Sequence, residues 1–438
     1  MAVSRGYVNQ RLLLGPESVI GAAVGAVKDF PSLSIEPVRE QDDQFYRPAG
    51  QLIPGSGVKH REMSRPTWNA GIDYNEIIYP LSGLFGAPSP TNPVGSVYQW
   101  VFSPTKSDFG NPKTFTVRRG DSFASCVIPG FYFNSLDMSL SDDTAELSGE
   151  GFGYRINDLA GVLHATLTDE VQQLVITGAP TGGTFTLTYS GQTTSAIAYN
   201  ATAAQVQAAL RALSNIADDQ VHCYGSSLPD GAITIHFANG LGATNVAQIT
   251  STDSLTGGSS PATAITTLQS GAGAFTTIAQ QPVSKSTVNV YIDSTFGALG
   301  TTKFCDALEI GVSIPPIRNP VKVLCTAYPN FKDAVQMAIE EAMIRMVLIK
   351  NTDILTFMDA FNTGPKPTRY VRFEMIGANI TGAHNYTALW DFACKCETPE
   401  EIGNVQETYA YGVNARLVAD ADISGGVKVT VKNTISAL

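Results

Sequence analysis

Between Leu167 and Ala272 the chain has no lysine and a single arginine, Arg211. Such a block reads as a complete small domain set into a different protein. It is also long enough to hold a core of its own. The expected organisation is therefore a first lobe over 1–167, an inserted α+β domain over 168–272 and a second lobe over 273–438. Half, insert, half is the plan of a structural module carrying a decoration, and a chain organised around a catalytic pocket would look different.

Composition sets the class. Apolar residues make up 43% and charged ones 15%, with 40 glycines, which points to a globular chain with a mainly β fold. The formal charge of −11 argues against a nucleic-acid binder, because phosphate contacts need clustered Lys and Arg. An acidic wall that repels DNA stays compatible with it. No run is long enough to span a bilayer. Gly15, Pro16 and Glu17 interrupt the apolar start Leu12–Val27, so no secretory signal is expected.

Several readings of the individual segments follow. The charged stretch Glu36–Pro66 suits two extended, exposed strands joined by a loop. Its Arg39, Glu40, Asp42, Asp43, Arg47, Lys59, Arg61, Glu62 and Arg65 are candidates for contact between subunits or rings. Asp73 and Glu76 resemble a capping box before the helical spacing of Tyr74 to Phe85, which Pro80 should kink or end. In the insert, Val171–Ile176 and Thr184–Tyr189 form a hairpin signature, and Thr202 with Gln205 opens a helix whose buried stripe is Val206, Ala209, Leu210 and Leu213. Ile233, Ile235 and Phe237 should face inward from a further strand.

In the second flank, Asn330 should cap a helix with the stripe Phe331, Ala334, Val335, Ala338, Ile339, Ala342, Met343 and Met346. Strands follow at Ile354–Met358, Arg369–Ile376, Thr387–Lys395, Thr408–Ala419 and Val427–Lys432. Strands around one helix thus occur twice, which suggests a duplicated unit flanked each time by a helix.

Chemistry-bearing patterns are sparse. The five histidines lack ligand spacing, and no phosphate-binding loop or nucleophile elbow occurs. Six cysteines do not form a framework. Cys126, Cys223, Cys305 and Cys325 read as core residues, and Cys394 with Cys396 as buried reduced thiols on one strand face. His222 beside Cys223 lacks an orienting partner and reads as part of a strand. No catalysis, metal or cofactor is expected.

The order of the flanks resembles the tail tube, or major tail, proteins of long-tailed bacteriophages. The likeness rests on the charged stretch Val38–Arg65, Asp73–Gly86 ending in Leu-Phe-Gly, the run from Asn134 to Leu140 before Leu147-Ser-Gly-Glu-Gly, and the C-terminal Gly425–Asn433. The insert, through Leu174–Leu187, Ile197–Leu210 and Gly240–Val246, resembles a module repeated in phage structural proteins. The resemblance implies β-sandwich or small-barrel units, each beside a helix. Rings of subunits then stack into a tube around the tape-measure protein and later the DNA, without specific binding. Tail terminator and distal tail proteins would be further partners, in a virion component assembled in the host cytoplasm. Two units per chain favour trimeric over hexameric rings. Another virion component (distal tail, baseplate or head decoration) and a carbohydrate-binding adhesin are the alternatives.

Overall fold

The computed structural model describes residues 10–438 apart from 22, 25–27, 47–55, 121–124, 142–144, 160–168, 243, 272–275, 302, 305, 324–330, 339–340, 351–365, 398 and 406–407. Most of the described chain is β-strand. One continuous run of antiparallel strands takes the order Leu33–Glu36, Thr67–Gly71, Ala145–Phe152, Leu136–Leu140, Ala307–Ile314, Met343–Ile349, Thr408–Leu417 and Glu400–Val405. A second run takes the order Lys303–Phe304, Val288–Asp293, Arg369–Thr381, His384–Cys396, Val427–Asn433, Val97–Phe102 and Thr91–Val94. The two flanks therefore share sheets: Leu136–Leu140 bonds to Ala307–Ile314, and Val97–Phe102 to Val427–Asn433.

The runs meet at the Cys-x-Cys motif. Strand His384–Cys396 pairs with Val427–Asn433 as far as Phe392, then turns to Thr408–Leu417 through Cys394, Lys395 and Cys396. Cys394 and Cys396 are fully buried free thiols, as their alternation required. Cys223 is also buried and free and Cys126 is half-buried, whereas Cys305 and Cys325 lie outside the described residues.

One large core fills the space between these strands. Trp100, Trp390, Phe392, Val429 and Val431 come from one run, and Met138, Val312, Ile344 and Met346 from the other. Helix Ile78–Phe85 lies wholly buried among them, which suits a helix apolar on every side. Its start differs in detail from the expected cap. Asp73 Oδ1 accepts from the amides of Asn75 at 2.8 Å and Glu76 at 3.1 Å, shaping a turn, and the helix begins after Ile77 without a side-chain cap. Pro80 then falls in the first helical turn, where its missing N–H has no intrahelical partner to lose, so it neither kinks nor ends the helix. Gly86 ends it at φ 82°, where an added Cβ would meet the Asn111 carbonyl oxygen at 2.9 Å.

The insert has a separate core drawn entirely from residues between Leu174 and Ile265. One four-stranded sheet runs Val221–Gly225, Ile233–Phe237, Val171–Thr177, Ala262–Gln269. In the other, Gly182–Tyr189 pairs with Gln192–Thr193, Ile197–Ala198 and Thr250–Thr256. Helix Ala203–Arg211 carries the capping box of Thr202 and Gln205 and buries Val206 and Leu210. Its last residue, the block's single arginine, donates from Nε to the Val221 carbonyl at 2.8 Å and so ties helix to sheet.

The second flank corrects the sequence reading. The helix expected over Phe331–Met346 is not formed, and that flank shows no α-helix among the described residues. Asp333–Gln336 instead pairs with Arg318–Val321 in a hairpin, and Met343–Ile349 is a strand held on both sides. Val335, expected in the buried stripe, is 56% exposed, while Ile344 and Leu348, outside that stripe, are fully buried. Short apolar runs fit both periods, and two long-range strand partners override the local preference. Asn330, Ile339 and the expected strand Ile354–Met358 lie outside the described residues.

Candidate assembly surface

The segment after Val38, six polar residues in a row, forms one strand of a long antiparallel hairpin, Arg39–Tyr46 with Ser56–Ser64. It bonds to no other strand among the described residues. Register puts Asp42 opposite Arg61 and, past a bulge, Asp43 opposite Lys59. Four of the candidate contact residues cluster at its base. Arg39 Nη1 donates to Glu62 Oε1 at 3.1 Å, and Arg65 Nε donates to Glu40 Oε2. Arg47 lies outside the described residues. Glu62 is buried, whereas the Arg65–Glu40 pair is largely exposed and of a kind that adds little stability, about 0–1 kcal/mol; both pairs tie one strand of the hairpin to the other.

A second hairpin, Arg318–Val321 with Asp333–Gln336, stands beside the first, with Lys322 Nζ at 3.9 Å from Glu40 Oε1. The sequence reading missed it because its apolar residues also fit a helix. Both hairpins are rooted in one apolar cluster, in which Met63 of the first and Phe331 of the second meet Tyr132 and Phe152. Phe152 and Phe331 pack edge to face at 5.5 Å between centroids. Burial pushes the Tyr132 hydroxyl well above its ordinary range. Arg318 is 3% exposed, and its guanidinium donates to the carbonyls of Leu84 and Gly110, each at 3.0 Å. Burial still lowers its pKa to about 10.

Apart from Val19, the large exposed apolar side chains among the described residues collect at these hairpins and at sheet ends. Val38 and Phe45 belong to the first hairpin, Val335 and Met337 to the second. Ile402 and Tyr409 lie on the last two strands of the eight-stranded run, and Val94 on the end strand of the other. Phe45 has Gly57 opposite it, so no cross-strand side chain covers the ring. The aromatic pair Phe45-Tyr46 after Asp42-Asp43-Gln44 was the available signal, and charge alone drew the sequence reading away from it.

The solvated face of the eight-stranded run has a uniform character. Thr67, Asn69, Ser139, Ser148 and Ser313 are exposed on it, together with Asp137, Glu146, Glu150 and Glu309. Arg345 and Arg416 are the exposed arginines of these strands among the described residues, and Arg416 Nε donates to Glu397 Oε1 at 2.7 Å.

Elsewhere the chemistry is structural. Among the described residues no group of three His, Cys, Asp or Glu side chains is placed to hold a metal. His222 and Cys223 alternate on strand Val221–Gly225; burial raises the Cys223 thiol to about 12 and lowers the His222 pKa. No helix among the described residues is long and apolar enough to cross a membrane.

No family model matches the chain. It is 36% identical over 182 residues to the tail sheath protein of Mycobacterium phage Bxz1, a match covering 38% of this chain and 29% of that protein. This likeness supports a structural protein of a phage tail. It points to a virion component with a non-enzymatic role. The chain spans well under half the length of that relative.

Proposed function

We propose that the chain is a tail tube subunit that polymerises into stacked rings and forms the conduit for DNA. The observation that supports this most is the eight-stranded run, which ends on Leu33–Glu36 at one side and Glu400–Val405 at the other, each paired with another strand on one side only among the described residues. Free sheet edges invite pairing with further copies, and ring closure removes them. With two flanks in each chain, three copies give a ring of pseudo-sixfold symmetry. The face carrying Asp137, Glu146, Glu150 and Glu309 then lines the lumen, where like charge keeps DNA from adhering within about 8–10 Å at physiological salt. The charged hairpin 39–64 reaches the neighbouring ring, and the insert, bounded by 168 and 272, projects outward as a decoration.

The similarity to a tail sheath protein favours a second reading, a sheath subunit that surrounds a separate tube. Electron microscopy of the purified protein separates the two. Long, narrow, hollow tubes of stacked rings are expected. Wide cylinders that form only around another protein's tube would favour the sheath. A compact monomer at high concentration, even with tape-measure and initiator proteins present, would overturn both.

A further inference from the structure

We infer that the contact between the insert and the body is a releasable latch, which lets the insert move between a docked and an undocked position while both parts stay folded. The inference does not depend on how copies of the chain assemble. It starts from one sheet of the insert, Val221–Gly225, Ile233–Phe237, Val171–Thr177 and Ala262–Gln269. Ile233, Ile235 and Phe237 point from this sheet into the insert's own core, whereas Val171, Thr234, His236 and Gln269 are buried outside that core. Register sets His236 on one side of Val171 and Gln269 on the other, so these side chains share the sheet's far face. That face is buried and largely polar.

The body meets it with Ala23 and Val127, which pack on Val171 and Leu268. Arg118 stands opposite Val127 across an antiparallel pair and so belongs to the same contact. Its guanidinium is fully buried: Nε donates to Ser125 Oγ at 3.3 Å, and neither Nη has a partner among the described residues. His236 Nδ1 and Gln269 Oε1 are likewise buried without a partner. Asp169 of the insert supplies counter-charge. Burial lowers the Arg118 pKa to about 10 and Asp169 opposes this, while Asp169 Oδ2 lies 2.8 Å from His236 Nε2. Permanent contacts satisfy their buried polar atoms, so four atoms left dry and unpaired set a desolvation cost against a small apolar patch. Undocking returns those atoms to water. It breaks neither large core, since the two share no residue, and the bond from the Gly271 amide to Glu170 Oε2 keeps the insert's ends together as a pivot. A contact with such opposed contributions opens far more readily than either core.

The test is thiol labelling of the full chain. Val171→Cys puts a thiol in the latch and Leu187→Cys puts one in the insert's core; both positions are fully buried. Mass spectrometry of the labelled peptides separates these thiols from the native ones. Labelling at 171 should be about tenfold or more faster than at 187, because undocking uncovers only the first. Arg118→Met keeps the length of the side chain but removes the unpartnered nitrogens, and it should slow labelling at 171 about tenfold. Asp169→Asn strips the buried guanidinium of its counter-charge and should speed labelling there by about as much. Neither change should alter labelling at 187. Equal rates at 171 and 187, or changes at 171 that are not opposite in the two variants, would make this an ordinary structural ion pair and overturn the latch. Should Arg118→Met not fold, Gln269→Met takes its place: slower labelling at 171 supports the latch, and an unchanged or faster rate overturns it.

Discussion

Arg372 and Asp391 oppose each other across the two 13-residue strands Arg369–Thr381 and His384–Cys396, and they bond as a fork: Nε donates to Oδ1 at 2.5 Å and Nη2 to Oδ2 at 2.9 Å. Asp391 is 4% exposed, and Arg372 also donates to the Leu299 carbonyl at 3.3 Å. Removing one partner leaves the other charge partly buried and uncompensated, which costs more than the pair contributes. Asp391→Ala should destabilise the chain by about 2–3 kcal/mol in denaturant unfolding. A loss below about 0.5 kcal/mol would mean that water already screens the pair.

Stability should fall as pH rises through the mildly acidic range. Burial lifts the Glu76 carboxyl from its ordinary 4.5 to about 7; hydrogen bonds from Ser32 oppose this and nearby Asp73 adds to it. The folded state then binds a proton that the unfolded chain has already released, so stability is highest below pH 4.5 and is lost progressively up to pH 7. The loss attributable to this group is about 3 kcal/mol at most. Glu17, Asp73 and Glu170 are shifted upward by burial as well and act with the same sign. Glu76→Gln should therefore shrink, without abolishing, the difference between urea midpoints at about pH 5 and pH 8. An unchanged difference would place Glu76 in water.

How legible the fold was depended on whether local and distant preferences agreed. In the insert they did. The Thr202–Gln205 box, the Val206–Leu210 stripe and the inward Ile233, Ile235 and Phe237 all stand as their spacing implied, because short hairpins and one capped helix decide that domain. In the flanks the strands were legible but their partners were not: nothing local says that Leu136–Leu140 must meet Ala307–Ile314, or that the Cys394–Cys396 motif marks a sheet corner. For the assembly surface, the charged hairpin was visible from its composition. Phe45 and the hairpin at 318–336 were not, since a single exposed aromatic and a short apolar run carry no distinctive period.

Met343 and Ile344 give a direct test of the strand that replaced the expected helix. A helix would bury Met343 in its stripe and leave Ile344 aside. In the strand Ile344 is fully buried, while Met343 is half-exposed opposite Arg416. Ile344→Asp should prevent folding by placing an unpaired charge in the core. Met343→Asp should cost no more than about 1 kcal/mol, because a carboxylate there faces a guanidinium across the strand pair. The reverse pattern in expression and thermal unfolding would restore the helix.

Removing the insert should leave the rest of the chain folded and able to assemble. Its two ends lie side by side, since Glu170 Oε2 accepts from the Gly271 amide at 2.6 Å, so a short Gly/Ser linker can close the gap left by deleting Asp169–Ser270. Contact with the body is small: Val171 and Leu268 pack against Ala23 and Val127, and the two large cores share no residue. Deletion uncovers Ala23 and Val127, worth about 1–3 kcal/mol of lost burial, and removes Asp169 from beside the buried Arg118. Tubes of the deletion variant seen by electron microscopy, thinner than the wild type by the depth of one domain, are the expected result. A variant that folds but does not polymerise would show that the insert takes part in the contact between subunits and is no peripheral decoration.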